Sequence, residues 1–157
     1  MAHDRIEVNL PLSKVYELLS QPLLFPNFLE RLDSVEKVNS QTFDFSSKIG
    51  DEEFQWTANI IDNLRNTRFA WITVRGNLNQ TGTIRFTPLD NGERTLVDFS
   101  LDYRTFYGDA EGELAEFIEM CQAQLTKDLE TFKSMAEADT LKDVSEAEVT
   151  PQDEVPA

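Results

Sequence analysis

Between residues 42 and 103 apolar and polar side chains alternate in five blocks: TFDFSSK (42–48), EFQWTANII (53–61), RFAWITV (68–74), TGTIRFT (81–87) and TLVDFSLDY (95–103). A period of two, with aromatic and β-branched residues on the apolar beat, predicts half-buried strands. Asn91-Gly92 separates the last two blocks and is the pair favoured in a type I′ hairpin, where both central positions need positive φ. Pairing across it sets Phe86 opposite Val97 and Ile84 opposite Phe99 on one face, and Arg85 opposite Asp98 on the other. A turn at Ile49-Gly50 sets Phe45 opposite Phe54 and Phe43 opposite Trp56. The Asn63–Asn66 loop then sets Ile60 against Phe69 and Ala58 against Trp71. One face of the resulting antiparallel meander collects Phe43, Phe45, Phe54, Trp56, Phe69, Trp71, Ile84, Phe86, Val97, Phe99, Leu101 and Tyr103. The other face, with Asp44, Gln55, Thr57, Asn59, Thr83, Arg85, Asp98, Ser100 and Asp102, meets water.

The period changes from two to three or four after residue 110. Leu114, Phe117, Ile118, Cys121, Leu125, Leu129, Phe132 and Met135 predict one long amphipathic helix over 110–136, with Asp109 as its cap. Upstream, IEVNL (6–10) reads as a short strand. Pro11 opens a short helix with Val15, Leu18 and Leu19 inward, a second short helix covers about Phe25–Leu32, and a strand covers about Val35–Val38. The order is strand, two short helices, six more strands and a long helix. An apolar sheet face must be covered, and the long helix is the element able to cover it, which makes an α+β domain of residues 1–137. Residues 138–157, acidic and free of aromatics, are expected to stay disordered because they cannot bury enough surface to offset their ordering entropy.

Composition narrows the chemistry. The chain of 157 residues suits one domain, and its net charge of −15 opposes nucleic acid and anionic membranes. Of that charge, −6 belongs to residues 137–157 and −9 to the rest. No apolar run is long enough to span a bilayer, and MAHDRIEVNLP lacks the apolar stretch of a signal peptide, so a cytoplasmic protein without stable membrane insertion is expected. The sole cysteine, Cys121, excludes an intramolecular disulfide, and the sole histidine, His3, is placed in an N-terminus expected to fray. No metal site, catalytic triad, phosphate loop or cofactor motif stands out.

The element order resembles the helix-grip fold of the SRPBCC or START-like superfamily, shared by lipid-transfer START domains, birch-pollen-allergen-type proteins and bacterial polyketide cyclase/dehydrase-like proteins. The last group is the nearest. The segments that carry the resemblance are IEVNLPLSKVYELLSQP, FAWITVRGNLNQTGTIRFTPLDNGERTLVDFSLDY and LTKDLETFKSMAE, most of residues 5–137. It implies a curved seven-stranded antiparallel sheet wrapped on the C-terminal helix, with an apolar cavity between them for lipids, isoprenoids, hormones or polyketides. It implies no catalytic motif.

The candidate ligand-binding residues are accordingly Phe45, Trp56, Phe69, Trp71, Phe86, Phe99, Tyr103, Phe117, Cys121 and Leu125. The bland alternative is an ordinary filled core, and a cavity of several hundred Å³ would separate the two. Trp56, Trp71 and Tyr103, once buried, need partners for their polar tips, from a ligand or from the backbone. Cys121 reads as a small hydrophobe, Arg75 as a surface residue with reach to a cavity rim, and Gly76 and Gly82 as turn residues. Leu23, Leu24, Phe25, Phe28 and Leu29 form an apolar cluster that packs on the end of the core or serves as a lid. The expected function is binding of an apolar small molecule. A cyclase or dehydratase comes second because the inward face shows no ionisable group, and an arginine with a carboxylate inside the cavity would reverse that order. An interaction module using the acidic tail comes third. The oligomeric state is left open.

Overall fold

In the computed structural model, which describes residues 1–49, 51–104 and 113–141, every alternating block forms a strand and pairs with its chain neighbour. The strands are β1 (Ala2–Val8), β2 (Leu32–Asn39), β3 (Thr42–Ile49), β4 (Glu52–Leu64), β5 (Arg68–Gly76), β6 (Asn79–Leu89) and β7 (Arg94–Arg104). They make one antiparallel sheet in the order β1-β7-β6-β5-β4-β3-β2. The chain therefore starts at one edge, crosses to the other through helix α1 (Leu12–Leu19) and a 3-10 helix (Pro22–Asn27), and meanders back. Helix α2 (Glu113–Glu137) closes the apolar face.

The last hairpin has the predicted register, with Phe86 opposite Val97, Ile84 opposite Phe99 and Arg85 opposite Asp98. Asn91 and Gly92 both take positive φ, and Glu93 N–H donates to the Asp90 carbonyl at 3.2 Å, as a type I′ turn requires. The other two registers differ. Phe45 faces Trp56 and Phe43 faces Ala58, two positions from expectation, because pairing runs out to Ile49 opposite Glu52 and the turn lies one residue later. In the next pair Ile60 faces Trp71 and Ala58 faces Thr73, with irregularities at Thr57/Ala58 and Ile60/Asp62. Extra residues in one strand of an antiparallel pair bend it and increase its twist. In the first hairpin the slip is even, so side chains keep their faces: all twelve expected residues point inward, and all except the half-buried Phe54 are buried.

The first strand begins earlier than predicted, at Ala2, because β7 offers a partner at every position from Leu101 to Thr95. His3 is accordingly a strand residue opposite Ser100, with its ring against Asp98, and not part of a frayed end. The second short helix is a 3-10 turn at 22–27, not a helix over 25–32. Pro22 starts it and Pro26 within it removes an α-helical donor. Past the predicted helix end the chain stays packed: Ala138, Asp139 and Thr140 donate N–H bonds back to α2, and Leu141 is buried in the core. Asp109, and the expected disordered segment from residue 142 on, lie outside the described residues.

Helix α2 buries Leu125, Leu129, Phe132 and Ala136, with Phe28 edge-on to Phe132 at 5.0 Å. Its polar side chains also serve edge strand β1. Gln122 accepts the His3 N–H at 2.7 Å, Lys133 donates to the Glu7 carbonyl at 2.6 Å, and Glu137 accepts the Asn9 N–H at 2.7 Å. These are outward-pointing edge groups, and satisfying them blunts the edge against pairing with another chain.

Candidate functional site

Along α2 burial falls toward the N-terminal half: Leu114, Phe117, Ile118 and Cys121 are half-buried where Leu125 and Leu129 are fully buried. There the interior does not fill. A cavity of about 90 Å³ lies between strands β3–β7, the Phe25–Leu32 segment and the middle of α2. Its apolar wall includes Phe25, Leu29, Phe45, Trp56, Trp71, Leu78, Leu101 and Leu125. Phe45 and Trp56 stack with centroids 5.4 Å apart, and Phe25 tilts against Trp71 at 5.5 Å. The space is well under the roughly 300–1,000 Å³ of sites for drug-sized ligands. It admits one ring-sized group, and anything longer must extend through the wall.

Of the ten expected lining residues, six surround the cavity: Phe45, Trp56, Trp71, Tyr103, Cys121 and Leu125. Phe69 and Phe99 pack behind Trp71 in the filled core, and Phe86 packs on Tyr16. Phe117 bridges Phe54 and Tyr103 beside the cavity. The apolar cluster after α1 supplies Phe25 and Leu29 to the wall. Arg75 is exposed, on a polar groove of the opposite sheet face with Glu36, Asp44 and Thr57. Gly76 ends β5 at φ +119°, a conformation glycine adopts freely and other residues do not, and leads into the connection to β6. Gly82 is not in a turn; it sits in β6 under Trp71, where a Cβ would overlap the indole ring.

Polar groups on the wall form a chain. Trp71 Nε1 donates to Gln80 Oε1 at 2.9 Å, and Gln80 Nε2 donates to the Tyr103 hydroxyl at 3.2 Å. The Cys121 thiol lies close enough to Tyr103 to act on its phenol, and burial pushes that phenol far above its ordinary range. Burial also raises the Cys121 thiol, against the opposing effects of Tyr103 and Arg31, so the thiolate is not favoured. Trp56 Nε1 is buried and has no partner among the described residues.

Ionisable groups also reach the cavity, contrary to the expectation of none. Asp128 is 6% exposed and lines it together with Arg31. Burial raises the Asp128 carboxyl, while Gln124 Nε2 at 2.8 Å and the Glu30 N–H at 3.3 Å hold its charged form. The helical spacing Cys121–Leu125–Asp128–Phe132 puts Asp128 on the buried stripe, a position its charge disguised. Gln80 escaped notice because the strand starts at Asn79, not Thr81. Its parity with Gly82 and Ile84 then turns it inward. Among the described residues no group of three His, Cys, Asp or Glu side chains is placed to hold a metal ion, and no helix is long and apolar enough to cross a membrane.

Known structures share this architecture. A START superfamily protein from Mycobacterium smegmatis superposes with a TM-score of 0.72 at 12% identity, over 87% of this chain and 97% of that one. The Zhui aromatase/cyclase from Streptomyces sp. R1128 gives 0.66 at 19% identity, over 88% and 91%. At these identities the likeness defines the fold, the START-like helix grip. The family model for polyketide cyclase/dehydrase and lipid transport matches residues 2–137, and the chain belongs to that family. A 17.2 kDa uncharacterized protein of Streptomyces lincolnensis, from the melC2-rnhH intergenic region, is 27% identical over 135 residues, 85% of this chain and 87% of that protein.

Proposed function

We propose that the protein binds one apolar small molecule, lipid, isoprenoid or polyketide-like, between the sheet and α2, and sequesters or presents it. The observation that carries this reading is the unfilled space of about 90 Å³ in an otherwise packed interior, walled by aromatic rings and edged by polar tips. A ring fits inside, and a longer ligand extends out of the cavity. The family's lipid-transport and cyclase members support the same use of the fold.

A cyclase or dehydratase is the second reading, favoured by the arginine and carboxylate on the cavity wall. It stays second because Asp128 accepts bonds from Gln124 and the Glu30 backbone, so it already serves the protein's own structure. In either case binding precedes any chemistry.

Native mass spectrometry of protein purified without detergent tests the binding reading. A discrete apolar adduct, released by solvent extraction, is expected. Protein that is ligand-free and also takes up neither fluorescent lipid nor polyketide probes would contradict it.

A further inference from the structure

The chain of bonds behind the cavity runs in one direction only. An indole N–H donates and never accepts, so Trp71 forces the Gln80 carbonyl oxygen toward itself. That leaves the Gln80 amide nitrogen facing Tyr103, so the Tyr103 oxygen is the acceptor in that bond. The phenol proton is then left to point onward, toward Cys121 and the cavity. Sulfur is a weak acceptor. The phenol, held far above its ordinary range by burial, keeps its proton at every working pH.

Two other polar side chains belong to the sheet wall. Trp56, which lines the cavity, carries a buried N–H with no acceptor among the described residues. Ser47 spends its proton on the Arg31 carbonyl at 2.6 Å, so its oxygen is an acceptor. The acceptors at the cavity, Asp128 and Gln124, belong to α2.

We infer that Tyr103 is held as a hydrogen-bond donor to the cavity, and that the ligand presents to it a carbonyl oxygen, not a hydroxyl, with Gln80 setting this preference by orienting Tyr103. This deepens the binding reading above and rests on it. A ketone takes the Tyr103 proton from the sulfur and gains a stronger bond. The corresponding alcohol offers Tyr103 the weaker acceptor and must also carry its own proton away from Tyr103, to Ser47 or to α2.

Acetophenone and 1-phenylethanol share a carbon skeleton and are small enough for the cavity. By calorimetric titration acetophenone is expected to bind roughly five- to tenfold more tightly, the difference one net hydrogen bond makes. The infrared carbonyl band of bound, ¹³C-labelled acetophenone is expected at lower frequency in the wild type than in Tyr103→Phe, and the affinity preference should vanish in that variant. Tyr103→Phe also strips Gln80 of its acceptor, so Cys121→Ala serves as the companion. It removes the competing sulfur, keeps the chain intact, and should retain the lowered band. Equal binding of the two compounds, or a band that does not move between wild type and Tyr103→Phe, overturns the inference and leaves the cavity reading standing. Binding of neither compound overturns the cavity reading itself, and the inference with it.

Discussion

Gly82 shows how little room the site leaves at single positions. Trp71 lies over it from the neighbouring strand, and a methyl group there would occupy the space of the indole ring. Gly82→Ala is expected to destabilise the protein by about 1–3 kcal/mol, the cost of overpacking, and to shift tryptophan emission as Trp71 is displaced. Chemical denaturation followed by fluorescence reads both, and an unchanged midpoint and spectrum would contradict this packing. Asp128 gives the pH prediction. Its carboxyl is raised by burial, so its contribution to stability is full below an unfolded value of about 4 and is lost as pH rises through the folded value. Asp128→Asn removes that loss, so urea denaturation should show the variant gaining on the wild type as pH rises above the unfolded value of about 4. A constant difference would show that Asp128 pays no burial penalty. Both residues were hard to read from sequence for physical reasons. A glycine in a strand block looks like turn chemistry until its cross-strand neighbour is known. A charged residue on a buried helical stripe looks like surface until the stripe's width is known.

At the scale of elements, legibility followed local chemistry. The β6–β7 hairpin was legible in full because its turn residues and its side-chain pattern specify the register independently. In the hairpin at residue 50 only the alternation spoke. Alternation distinguishes odd slips from even ones, so the faces came out right and the partners did not. The β4–β5 irregularities left no sequence signal, because they answer to sheet curvature across all seven strands. The end of α2 was read at the last periodic residue, yet Leu141 is 3% exposed and closes the core beyond it. Truncation after residue 137 is therefore expected to cost roughly 1.5–3 kcal/mol, the value of burying a leucine, and truncation after residue 141 almost nothing. Thermal melts of the two truncated chains check this. Equal melting temperatures would show that Leu141 adds no stability.

For the whole molecule, the apolar sheet face and one long helix made a helix-grip domain foreseeable, and the family match over residues 2–137 establishes it. Whether the interior would be filled was not foreseeable, because it depends on how side chains from elements far apart in the chain meet over the sheet face. The answer is a small cavity of about 90 Å³, with the arginine and carboxylate that the face assignment had left out. Both tryptophans of the chain, Trp56 and Trp71, line the cavity, so the protein carries its own reporter of occupancy. The most direct measurement is a titration with 4-nitroaniline, a single-ring energy acceptor, monitored by energy transfer from these tryptophans, in the wild type and in Cys121→Phe, which fills the space. Saturable, one-to-one transfer in the wild type that is lost in the filled variant, with its fold intact by circular dichroism, is the predicted result. No saturable transfer in the wild type, or equal transfer in both proteins, would contradict a ligand site between the sheet and α2.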